Sequence, residues 1–106
     1  YGVTAAGGTH NSGVLFEYDP SANTYTKKID FNESIPNGSL MQASNGKLYG
    51  LATKGGSTDN GILYEYDLTT NILTKKIDFD GTNNGNSPTG SLTQTNNGKL
   101  YGITNS

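Results

Sequence analysis

The side chains with the greatest chemical reach are few: one histidine, His10, and nine carboxylates spread over 106 residues, with no cysteine. An imidazole acting as general base needs a nucleophile and an orienting acid converging on it, and a zinc site needs several ligands. His10 offers neither. It follows Gly7-Gly8 in a polar stretch, and the corresponding position in the second half of the chain is Thr58, so it reads as a solvent-exposed loop residue. Glu17, Asp30, Glu33, Asp67, Asp78 and Asp80 are the candidates for a glycosidase-type carboxylate pair. However, Glu17 and Glu65, like Asp30 and Asp78, recur at equivalent positions of the two halves. An active site is built once, whereas residues repeated in every copy serve the copy, so the carboxylates argue against an enzyme. The stretch 80–86, DGTNNGN, resembles a calcium loop in its oxygen ligands and its glycine at the sixth position. It has Thr82 at the third position and Ser91 where the acidic twelfth ligand belongs, and it reads as a polar, turn-rich loop. No metal and no cofactor is expected.

What positions these residues is a repeat. The segment YGVTAAGGTHNSGVLFEYDPSANTYTKKIDF from Tyr1 returns 48 residues later as YGLATKGGSTDNGILYEYDLTTNILTKKIDF from Tyr49. SLMQASNGKLYG from Ser39 returns 52 residues later as SLTQTNNGKLYG from Ser91. The four extra residues fall in one segment, where NESIPNG becomes DGTNNGNSPTG, which marks it as a surface loop. Each copy carries four short β-type runs and none has helical spacing. The first run, 39–44, meets the second, 47–53, across Asn45-Gly46, and Asn97-Gly98 repeats the signal. Asn-Gly predicts a type I′ turn. The third runs are 14–19 and 62–67, and the turns PSAN and LTTN lead to the fourth, 24–31 and 72–79. Lys27-Lys28 and Lys75-Lys76 suit an outer edge strand, where lysine discourages foreign pairing, with Glu17 and Glu65 expected opposite them.

Four antiparallel strands in about fifty residues is the content of one β-propeller blade, so the fold class is all-β, with two tandem repeats forming part of a larger propeller. The expected division is residues 1–38, an incomplete blade of strands two to four and the following loop; 39–90, a complete blade and loop; and 91–106, the first two strands of a third. Two blades cannot close a ring, and the chain starts at Tyr1 without methionine, so a piece of a longer array is expected, paired with further propeller repeats of the same protein. A hydrophobic content of 31% and a mean hydropathy of -0.59 likewise suit a chain that shares its core with neighbours. Seven basic against nine acidic residues leave no electrostatic footprint for nucleic acid, and no apolar run is long enough for a helical membrane span.

The order KLYG, Gly-Gly, EYDPSANTY resembles the kelch repeat, with Tyr25 and Leu73 in place of its tryptophan and Leu68 in place of Pro20 in the second copy. Over its whole length the chain also resembles the bacterial secreted tandem-repeat proteins known as GloVer-repeat proteins. The matching elements are Leu48-Tyr49-Gly50, Gly55-Gly56, Gly61 with Tyr64, and Pro88 with Gly90 and Leu92. This resemblance implies a propeller-like fold, a bacterial origin and an extracellular or cell-surface location, and it implies no catalytic residues.

Because strand direction alternates, the loops after second and fourth strands share one face, where nearly all variation between the copies lies. Loops on a rigid scaffold are where binding usually resides. The expected function is a binding module for a glycan or protein, through His10, Asn11, Lys54, Asp59, Asn60, Asn83, Asn84 and Asn86. A structural repeat of a stalk, filament or adhesin is the alternative, and part of a propeller glycosidase or lyase the third.

Overall fold

A computed structural model describes residues 1–105. Among these residues every regular element is a strand: β1 (Gly2–Val3), β2 (Val14–Asp19), β3 (Thr24–Asp30), β4 (Ile35–Gln42), β5 (Leu48–Lys54), β6 (Ile62–Asp67), β7 (Ile72–Asp78), β8 (Pro88–Gln94) and β9 (Leu100–Thr104). They form three antiparallel sheets in chain order, β1-β2-β3, β4-β5-β6-β7 and β8-β9. The expected divisions between 38 and 39 and between 90 and 91 fall inside β4 and β8. These strands start four and three residues earlier than the alternation suggested, because Pro36 and Asn37 already pair with Ala52 and Leu51 before the ladder bulges toward Met41↔Tyr49.

The hairpin turns are not type I′. Asn45 and Asn97 keep negative φ, and only Gly46 and Gly98 are left-handed, at φ 88° and 85°. Gly46 N–H donates to the Ala43 carbonyl at 2.9 Å and Ala43 N–H to the Lys47 carbonyl at 2.9 Å. This is a three-residue loop in which a type I turn over Ser44-Asn45 is followed by a glycine bulge. Asn45 Oδ1 accepts from Lys47 N–H at 2.9 Å, which holds the asparagine in that turn. The next hairpin closes differently: Asp67 Oδ1 accepts from Thr69 N–H at 2.9 Å, and the Tyr66 hydroxyl donates to Asn71 Oδ1 at 2.6 Å. Asp19, Tyr18 and Asn23 repeat it in the first copy, with Asn23 and Asn71 left-handed at φ 54° and 59°.

β3 and β7 are outer edges, as the lysine pairs suggested, but the glutamates do not face those lysines. A bulge between Leu15 and Phe16, repeated between Leu63 and Tyr64, shifts the register by one residue. Glu17 therefore pairs with Thr26 and Glu65 with Thr74. Lys27 instead turns to Asp30 at 2.9 Å, and Lys75 likewise to Asp78.

The core lies between sheets, in two layers on either side of β5. Leu48 and Ala52 join Leu15, Phe31, Ile62, Tyr64 and Tyr66 on one side; Tyr49 and Leu51 join Ala43 and Leu92 on the other. Coverage of both faces explains why β5 reads as the nearly continuous apolar run LYGLAT. Successive sheets also touch at equivalent residues: Ser39 N–H donates to Ser91 Oγ at 3.1 Å, and a Cβ on Gly38 would lie 2.2 Å from the Gly90 carbonyl oxygen.

One core group lacks a polar partner. The Tyr64 hydroxyl is buried with no hydrogen bond among the described residues, and burial pushes its pKa up. Phe16 stands at the equivalent place in the first copy. An orphaned buried hydroxyl costs ~1–3 kcal/mol, so Tyr64→Phe should leave stability unchanged or raise it. Urea melts check this, and a loss above ~1 kcal/mol would mean that the hydroxyl contributes a bond in solution.

Candidate functional site

The loop face begins with the double glycines. Gly7 and Gly13 bracket a loop closed by Gly13 N–H donating to the Gly7 carbonyl at 3.0 Å; Gly61 and Gly55 do the same at 3.1 Å. Asn11 Oδ1 accepts from Gly7 N–H at 2.8 Å, and Asp59 Oδ1 from Gly55 N–H at 2.8 Å. Both residues are left-handed, with φ 54° and 58°, a region that asparagine and aspartate tolerate better than most residues. Two of the residues expected to bind a ligand therefore staple their own loops. Each loop is also tied to the end of an outer strand: Thr9 N–H and hydroxyl reach the Asp30 carboxylate at 2.9 and 3.1 Å, and Ser57 reaches Asp78 at 3.0 and 3.1 Å. The sequence signal for this tie was the recurrence of Asp30 as Asp78, which marked the repeat but not the partner.

The longer second-copy loop is organised around Asp80. Its Oδ1 accepts from the N–H groups of Thr82, Asn83 and Asn84 at 2.9, 2.8 and 3.2 Å, and Asn84 Oδ1 accepts from Asp80 N–H at 2.7 Å. Asn83 Nδ2 adds a bond to Oδ2 at 3.3 Å. The carboxylate that would lead a calcium loop is thus occupied by the loop's own donors.

Asn60 meets this loop: its carbonyl accepts from Ser87 N–H at 2.7 Å, while its amide donates to Thr58 Oγ1 at 2.8 Å. Asn86 contributes its carbonyl to Asn105 N–H at 3.1 Å. Asp59, Asn60, Asn83, Asn84 and Asn86 therefore belong to two touching loops, with Lys54 at the end of β5 beside them. Among the described residues no hydrogen bond links the loop of His10 and Asn11 to that group. The side chains of His10, Lys54 and Asn83 are exposed.

The electrostatics favour holding shape over proton transfer. Hydrogen bonds from Lys27, then from Thr9, hold Asp30 down to about 2, and three backbone N–H groups do the same for Asp80. Lys75 and Ser57 lower Asp78. Carboxylates stabilised in this way are weak bases and are not protonated near neutral pH, whereas a general acid needs its pKa raised.

A family model described as the Gloeobacter/Verrucomicrobia repeat matches residues 1–106. No curated protein and no solved structure matches the chain.

The depressed carboxylates set a pH window. Groups whose folded pKa lies below the unfolded value of about 3.9 contribute stability that is complete above that pH and is lost as pH falls through about 2. Carboxyl carbon shifts of Asp30 and Asp80, followed by NMR, should have midpoints near 2. Midpoints at or above about 3.9 would contradict the loop geometry.

Proposed function

The chain belongs to the Gloeobacter/Verrucomicrobia repeat family, and on that footing we propose that its sheets are blades of a kelch-like β-propeller that binds a glycan or protein at the bacterial cell surface or outside the cell. The observation that carries this reading is the contact between equivalent residues of successive repeats, Ser39 with Ser91 and Gly38 with Gly90. Equivalent points of rotated units come that close only near the rotation axis. Strands β4 and β8 then line the axis, β3 and β7 lie at the rim, and the variable loops gather at one end. His10, Lys54 and Asn83, exposed there, are the side chains offered to a ligand, Asn83 with its amide already donating to Asp80 Oδ2. The extracellular location rests on the resemblance to secreted repeat proteins. The partners within the ring are further repeats of the same protein.

A second reading, a structural repeat of a stalk or filament, is favoured by the loops themselves, since Asn11, Asp59, Asp80 and Asn84 spend their polar atoms on loop closure. The two part on a direct assay. Applied to glycan and bacterial-surface-protein arrays, the chain should give a signal that a His10→Ala, Lys54→Ala, Asn83→Ala variant loses by about tenfold or more, equivalent to ~1.4 kcal/mol. Absence of any signal, together with regular fibres in negative stain, would replace the binding reading with the structural one.

A further inference from the structure

On the loop face most carboxylates are already spent. Asp30, Asp59, Asp78 and Asp80 all hold hydrogen bonds that close or tether their loops. The Glu33 carboxylate, the His10 imidazole and the Lys54 ammonium are exposed, with no hydrogen bond or ion pair among the described residues. None of the three recurs: Thr58 stands for His10, Ala6 for Lys54, and the segment holding Glu33 is the one replaced by the longer loop in the second copy. Residues that recur serve the repeat. Groups that neither recur nor close a loop are the ones available to a ligand.

The three meet at the junction of the first two sheets, both flanks of which lie within this chain. Phe31 N–H donates to the Gly13 carbonyl at 2.9 Å, and Asp30 holds Thr9, so the segment that leaves β3 runs along the 7–13 loop. In the second copy Thr58 donates to the Phe79 carbonyl at 2.9 Å. By the repeat, position 10 faces the backbone that leads to Asn32 and Glu33. On the other flank Ile35 pairs with Lys54, and Ser34 packs against Gly55 so closely that a Cβ there would lie 2.8 Å from Ser34 Cα. Glu33 thus stands between His10 and Lys54. Its backbone is left-handed at φ 64°, a costly region for a long side chain. Asn11 and Asp59 use that conformation to bond a glycine N–H, whereas Glu33 gains no bond from it.

We propose that Glu33, flanked by His10 and Lys54, is the specificity-determining residue of a site for a neutral, polyhydroxylated glycan. This rests on the reading of the loop face as a binding face and narrows its ligand. A carboxylate only accepts hydrogen bonds, an ammonium only donates them, and an imidazole does either. A ligand that satisfies all three carries donors and acceptors close together, and the adjacent hydroxyls of a sugar are both. An anionic ligand drawn to Lys54 is repelled by Glu33, and a cationic one meets the reverse. Hydroxyl bonds to a carboxylate are roughly twice as strong as neutral ones, so Glu33 carries the largest share of recognition. The left-handed backbone places that carboxylate at a cost in stability.

The full chain is tested for binding to neutral, acidic and amine-bearing oligosaccharides and to bacterial-surface-protein arrays, with Tm measured for each variant. Neutral oligosaccharides should give the strongest signal, equal at low and high salt, because salt screens charged ligands. Glu33→Gln should weaken that binding about tenfold. Glu33→Gly should do the same while Tm stays level or rises, since glycine accepts positive φ without strain. A protein signal without a glycan signal, a preference for charged sugars, salt-sensitive binding, or neutral-glycan binding that survives Glu33→Gln would each overturn this inference and leave the binding face standing. A drop in Tm of about 4 °C or more in Glu33→Gly would show that Glu33 serves the fold, which also overturns it. No signal of any class would remove the binding reading and this inference with it.

Discussion

The approach of Gly38 to Gly90 governs how the repeats meet. A Cβ at Gly38 would lie 2.2 Å from the Gly90 carbonyl oxygen and 2.6 Å from its carbonyl carbon, so backbone must pass against backbone there. Around that point β4 and the turn that follows it exchange polar contacts with β8 at equivalent or nearly equivalent positions. Ser39 N–H meets Ser91 Oγ at 3.1 Å, Ser44 N–H meets Gln94 Oε1 at 2.8 Å, and Gly90 N–H meets Asn37 Oδ1 at 3.3 Å. Both strands bulge at this place, between Asn37 and Met41 and between Thr89 and Thr93, which frees the glycines from their own ladders. Pro36 and Pro88, fully buried, open the same strands.

That contact allows a chain with only 31% hydrophobic residues to form layers of core. With sheets brought face to face, β5 buries Leu48 and Ala52 in one layer and Tyr49 and Leu51 in the next. A strand covered on both sides contributes twice the burial of a one-sided strand, and burial at ~25 cal/mol per Å² is the main favourable term. The polar residues are then free for loop closure, and the loops use them: Asn11, Asp59, Asp80 and the ties from Asp30 and Asp78 hold irregular backbone without a core beneath it.

Much of this was legible in the sequence because repetition states each element twice. β2, β6 and the edge character of β3 and β7 followed from alternation and from the lysine pairs. The failures share a cause, since each depends on a residue that breaks the ladder. One bulged residue moved Glu17 and Glu65 from the lysines to Thr26 and Thr74. Asn45-Gly46 looks like a type I′ turn, yet its asparagine serves as a side-chain acceptor in a type I turn. Pro-Asn-Gly and Pro-Thr-Gly read as loop, although in the fold they open β4 and β8. For the loop face, the sequence located the loops but not the direction of their side chains, so Asn11 and Asp59 looked available for ligand when they are bound to glycine N–H groups.

Whether a glycine-to-glycine approach holds the repeats in place can be read by comparing Gly38→Ala with Gly46→Ala in thermal melts. Both glycines are left-handed, at φ 75° and 88°, so both substitutions carry the same kind of backbone strain. Only Gly38 has a neighbour within 4 Å of the added carbon; Gly46 has none. Gly38→Ala should cost at least ~1 kcal/mol more, a further drop of about 4–8 °C in Tm for a chain of this size. Equal losses from the two substitutions would mean that the Gly38–Gly90 approach does not hold the repeats together.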